Sequence, residues 1–110
     1  MNNPGYTLIL ATTPDFEMAR LIAIALVSDS LAACCSIIPK VTSIYKWEGN
    51  IDEQTECQLL IKTRIEIKDK IIDKIKSIHT YDVPEIIFLP FTSGNPDYLR
   101  WIDESVNQAL

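Results

Sequence analysis

The sequence predicts an α+β domain: one antiparallel sheet of four strands, two helices covering one of its faces, and a third helix after the last strand. Three observations carry that expectation. Runs of strand character and runs of helical periodicity alternate in the order strand, helix, strand, strand, helix, strand, helix. The two middle strands are separated only by Gly49-Asn50, which is hairpin chemistry. The 110 residues, 47% hydrophobic and 23% charged, suffice for one core and not two, so 1–110 is read as a single domain.

The first strand is expected over Tyr6 to Thr12, where YTLILAT is apolar on both alternating faces, as a strand covered on two sides requires. Thr13-Pro14-Asp15 reads as a helix start, with Thr as the cap, Pro in the first turn and Asp at the positive end of the dipole. This helix runs to about Ser28, and only Arg20 is charged between Met18 and Val27, so its apolar surface extends almost all round. Leu31 to Ile38 is the second strand, and Pro39, lacking an amide donor, implies a bulge or an edge position. The strand then resumes with Val41, Ser43, Tyr45 and Trp47 on one face. After the turn the return arm alternates Cys57, Leu59 and Ile61 against Glu56, Gln58, Leu60 and Lys62.

Ile67, Ile71, Ile72, Ile75 and Ile78 recur at helical spacing, with Glu66 and Asp69 early and Lys74 and Lys76 late, which predicts an amphipathic helix packed on one side. Pro84 and Pro90 bracket the short strand Ile86 to Leu89. Asn95-Pro96-Asp97 starts the last helix, with Leu99, Ile102, Val106 and Leu110 as its buried stripe.

This element order is the ferredoxin-like arrangement, which leaves one sheet face bare. The hairpin adds a second exposure. Outer strands of about 6 residues reach ~20 Å, whereas the hairpin arms reach ~40 Å at about 3.3 Å per residue. Half of the hairpin therefore lacks a neighbour within its own chain, and an unpaired strand edge invites another copy. An obligate homo-oligomer built through the hairpin is expected.

Composition excludes several function classes. With 10 Lys+Arg against 15 Asp+Glu, the net charge is −5, and the pI of about 4.7 has the wrong sign for a nucleic-acid binder. No apolar run approaches the ~20 residues of a membrane span. MNNPGYT carries no basic residue ahead of an apolar stretch, so neither export nor a membrane partner is expected. Three cysteines, two of them adjacent (Cys34, Cys35), read as reduced, buried thiols of a cytoplasmic protein. Cys57 facing one of that pair is the only local soft-metal pair the pattern offers. One histidine, three glycines, no nucleophile elbow and no phosphate-binding loop argue against an enzyme.

The chemistry-bearing residues gather before the last strand. His79, Tyr81, Asp82 and Glu85 place an imidazole, a phenol and two carboxylates within seven residues, and imidazole with carboxylate suits Cu(II) and other borderline divalent ions. Glu85 and His79 are the expected metal ligands, with further donors from another part of the chain or another subunit. Glu85, near-buried if its strand assignment holds, is expected to find Lys62, Arg64, Lys46 or a cation as its partner. Glu48, Asp52, Glu53 and Glu56 around the turn read as solvated surface with a general attraction for cations.

Six stretches in order carry a resemblance over Tyr6 to Val106: Ala11-Thr12-Thr13-Pro14, Leu31-Ala32-Ala33-Cys34, Ser43-x-Tyr45-x-Trp47-x-Gly49, Lys62-Thr63, His79-x-Tyr81-x-x-Pro84-Glu85 and Gly94-x-x-x-Tyr98-x-x-Trp101. With them the chain resembles the CutA family of divalent-cation tolerance proteins. The resemblance implies a tight homotrimer similar in architecture to the PII signalling proteins, with divalent-metal (copper) tolerance as its role. The implied intersubunit cleft contains Tyr81, Asp82, Lys62 and Trp47 beside Glu85 and His79, and Tyr45, Trp47 and Trp101 are expected at the subunit interface. Family members associated with copper use a cysteine at the position of Ala11, a histidine at that of Ile78 and the glutamate that is Glu85. Only the last is retained. Two other readings stand beside this one: a PII-like regulator binding a small anion between subunits through Lys62, Arg64 or Arg100, and a trimeric scaffold without a ligand.

Overall fold

A computed structural model describes residues 5–110; Met1 to Pro4, part of the N-terminal stretch read for a basic head, lie outside them. The elements are β1 (Tyr6–Thr13), α1 (Phe16–Ser28), β2 (Cys34–Trp47), β3 (Asn50–Arg64), α2 (Lys68–Ile78), β4 (Ile86–Pro90) and α3 (Pro96–Val106). The sheet order is β2-β3-β1-β4 with every neighbouring pair antiparallel, which is the ferredoxin-like sheet expected from the sequence.

Alternation assigns the two faces. Thr7, Ile9 and Ala11 of β1 stand opposite Thr63, Ile61 and Leu59 of β3, and all six are fully buried. They meet Ala19, Ile22 and Leu26 of α1 and Ile71 and Ile75 of α2 in one core. The other face carries a row running Ser36, Leu60, Leu10, Ile87 across all four strands, and beside it Leu8 and Leu89. These leucines of β1 and β3 are only half-buried, and Ile87 and Leu89 are exposed. One end of this second face is occupied by α3, which is fastened through Asp103: it accepts the Tyr6 hydroxyl at 2.8 Å and the Arg64 guanidinium at 2.6 Å.

Several local boundaries differ from the sequence expectation. The α1 cap is Asp15, whose carboxylate accepts the Met18 amide at 2.9 Å, while Thr13 ends β1 and donates its hydroxyl to the Asp15 carbonyl. The second strand begins at Cys34 because the Leu31 and Ala32 amides are spent on the Leu26 carbonyl at the end of α1, a turn that holds Ser30 at φ 59°. Leu110 is exposed and does not extend the α3 stripe. The hairpin loop is Glu48-Gly49, since Trp47 and Asn50 already pair; both loop residues have positive φ (50° and 84°), as a two-residue primed turn demands. The break expected at Pro39 is a bulge between Ile38 and Val41, with Lys40 at φ 60°.

The hairpin outruns its sheet as expected. β1 pairs only with Cys57 to Arg64 of β3, so among the described residues Asn50 to Glu56 have β2 as their sole strand neighbour. The molecule is accordingly elongated, 47 Å against 25 and 22 Å. No helix among the described residues is long and apolar enough to cross a membrane.

Candidate functional site

A groove of about 650 Å³ lies where the projecting hairpin meets the loop before β4. The hairpin contributes Tyr45 and Trp47 from β2 and Asp52 and Glu56 from β3; the loop contributes Tyr81, Asp82 and Glu85. Strand parity explains the first group. Beyond the bulge, Val41, Ser43, Tyr45 and Trp47 stand opposite Glu56, Gln54, Asp52 and Asn50, so aromatic and acid residues share one face of the arm.

His79 sets the position of the loop. The residue is 8% exposed, its Nδ1 accepts the Tyr81 amide at 3.1 Å, and its Nε2 lies 2.8 Å from the Thr12 carbonyl. A carbonyl only accepts, so Nε2 carries the proton and Nδ1 the lone pair. Both ring nitrogens are thereby engaged, one on β1 and one on the loop, and neither has a lone pair for a cation. In this arrangement His79, expected from the sequence as a metal ligand, is a latch that ties the loop to the end of β1.

The latch delivers Tyr81 to Glu56. The phenol donates to the Glu56 carboxylate at 2.7 Å, and Tyr81 leans on the imidazole with ring centroids 4.6 Å apart. Burial, together with that hydrogen bond and the Glu56 charge, pushes the Tyr81 phenol up to about 12. Burial and the neighbouring Asp52 likewise raise Tyr45. Glu56, expected as solvated surface, is 9% exposed. Its parity with Gln58 and Leu60, already visible in the sequence, places it on the sheet face away from α1 and α2, and its burial there comes with the Tyr81 contact, which the sequence pattern did not show.

Glu85 is half-buried, and no ion pair to it occurs among the described residues. Each expected counter-charge is absent from it. Arg64 is held by Asp103 and Glu66, and the Lys62 ammonium donates to the Ser36 hydroxyl at 2.7 Å with the Cys34 sulfur at 3.8 Å. Lys62 pairs with Leu8, whereas the strand residue beside Glu85, Ile86, pairs with Ala11, so the lysine lies along the sheet from the groove and not in it. Trp101 is also elsewhere, paired with Tyr98 on α3 at 5.4 Å. The cysteines are not brought together: Cys35 shares the helix-covered face with Cys57 but pairs with Ile61, four residues further along β3.

Carboxylates therefore dominate the groove, and no Lys, Arg or His lines it among the described residues. Nor do any three His, Cys, Asp or Glu side chains among those residues converge closely enough to hold an ion.

Comparison with known proteins agrees with this architecture. Residues 7–105 match the model of the CutA1 divalent ion tolerance protein family. The chain belongs to this family. It is 46% identical over 97 residues to the divalent-cation tolerance protein CutA of Thermus thermophilus, covering 88% of this chain and 94% of that one. The crystal structure of CutA1 from Oryza sativa superposes with a TM-score of 0.90 at 39% identity, covering 92% of this chain and 93% of that one. The structure named as the periplasmic divalent cation tolerance protein CutA from Archaeoglobus fulgidus gives 0.89 at 39%, with 92% and 98% covered. Family membership makes this chain a divalent-cation tolerance protein, of a kind named for tolerance and not for a catalysed reaction.

Proposed function

We propose that the chain works as a cytoplasmic, non-catalytic homotrimer that holds a divalent cation at the groove, at a site completed by the adjoining subunit. The observation that carries this reading is the charge of the groove wall: Asp52, Glu56, Asp82 and Glu85 line it without a basic residue among the described residues. Four like charges along one groove attract a cation and repel one another until it arrives. Glu85 is the principal ligand, because its carboxylate has no ion-pair partner to give up among the described residues, and Asp82 is the second donor.

One subunit does not close a coordination shell, so the remaining oxygens come from water or from a second copy. An all-oxygen donor set suits Mn(II) and other hard ions. Cu(II), at the top of the divalent affinity order, is the strongest binder to test. The relatives' association with divalent cations and the unpaired hairpin support the reading, and three free cysteines support a reducing compartment. The anion-binding alternative finds no counter-charge in the groove among the described residues: Arg64 is paired with Asp103 and Glu66, Arg100 with Asp97, and Lys62 lies along the sheet from it.

Calorimetric titration with Cu(II) and Mn(II) tests the site. Binding heat is expected in the parent and in His79→Gln, and is expected to disappear in Glu85→Gln. Heat that survives Glu85→Gln unchanged refutes the assignment, and silence in the parent leaves the ligand-free scaffold.

A further inference from the structure

The groove is longer, and more aromatic, than a lone metal ion needs. Asp52 and Glu56 face the same side of β3 four residues apart, which at about 3.3 Å per residue separates them by ~13 Å. Between and beside them stand Tyr45, opposite Asp52, and Tyr81, bonded to Glu56, with Trp47 continuing the wall toward the turn. Point-like chelation calls for donors gathered around one centre. Here they are strung along a channel whose walls are rings, and its volume of about 650 Å³ falls in the range of small-molecule sites. Ring faces attract alkylammonium groups, and methylene chains gain by leaving water against them.

We infer that this groove binds a linear alkyl di- or polyammonium ion, its terminal ammonium groups set on the Asp52 and Glu56 ends and its methylene chain against Tyr45 and Tyr81. The inference goes beyond divalent-cation binding while sharing its groove, and it uses the spread of the carboxylates where the metal reading uses Glu85.

Titration calorimetry at physiological salt with 1,8-diaminooctane, 1,4-diaminobutane and octylamine reads the spacing directly. The long diamine is expected to bind ~10-fold or more tightly than either of the others, because only it bridges both ends at once. In Asp52→Asn, which keeps the side-chain shape and the acceptor for the Glu53 amide, that advantage is expected to vanish. Equal affinity for the three amines overturns the inference, and so does an Asp52→Asn protein, of unchanged native size, that still prefers the long diamine. Mn(II) heat without amine heat sinks this inference and spares the metal reading; amine heat without Mn(II) heat does the reverse.

Discussion

A single imidazole shows how a residue type can be visible in sequence while its role is not. His79 stands beside two carboxylates in sequence, which is ligand-like, yet its lone pair is given to the Tyr81 amide and its proton to the Thr12 carbonyl. Replacing it with alanine leaves a buried carbonyl without its donor, and the expected cost is about 1–3 kcal/mol, read as a lower urea midpoint at unchanged slope. Tyr81 adds a pH signature. Its folded value of about 12 lies above the ordinary 10.0, so the neutral phenol favours the folded state. That contribution is complete below pH 10 and is lost as pH rises through 12. Ultraviolet titration of the folded protein is expected to show a late-ionising tyrosine that Tyr81→Phe removes; a full set of phenols ionising near pH 10 contradicts the Glu56 bond.

At the scale of elements, the order, type and pairing of all four strands and three helices were legible, because periodicity and proline positions act locally. Pro39 announced the bulge, and Asn95-Pro96 announced α3. What was not legible depended on competition for backbone hydrogen bonds. Leu31 to Ala33 have a strand's composition, but the end of α1 claims two of their amides. The groove was half legible for the same kind of reason. Tyr81, Asp82 and Glu85 are neighbours in sequence, whereas Glu56 and Asp52 join them only through the register of β3 against β2. The turn offers a test of this level. Glu48 sits at φ 50° in a loop that prefers Asn there, so Glu48→Asn is expected to raise stability by about 0.5 kcal/mol. Gly49→Ala, at φ 84°, is expected to lower it by about 1 kcal/mol even though nothing stands within 4 Å of the added methyl group. Thermal melts of the two variants must move in opposite directions.

For the molecule as a whole, two surfaces are unfinished: the face carrying Leu8, Leu10, Leu60, Ile87 and Leu89, and the hairpin beyond Glu56. Both belong to the same sheet, so one assembly event can cover both. A second copy fits because it brings an identical apolar face and an identical free edge, and a closed ring leaves neither exposed. The native mass is expected near three times 12.5 kDa, by light scattering, and stable to dilution. Leu60→Lys places an ammonium at the centre of the apolar row, where an unpaired charge costs several kcal/mol once buried but little while the face is wet. The variant is expected to run as a monomer with its far-ultraviolet circular dichroism preserved, since Leu60 points away from the core between the sheet and helices α1 and α2. A Leu60→Lys protein that remains trimeric puts the contact elsewhere. A parent that is monomeric at micromolar concentration removes the intersubunit site along with the assembly and leaves Glu85 and Asp82 with water alone to fill the metal shell.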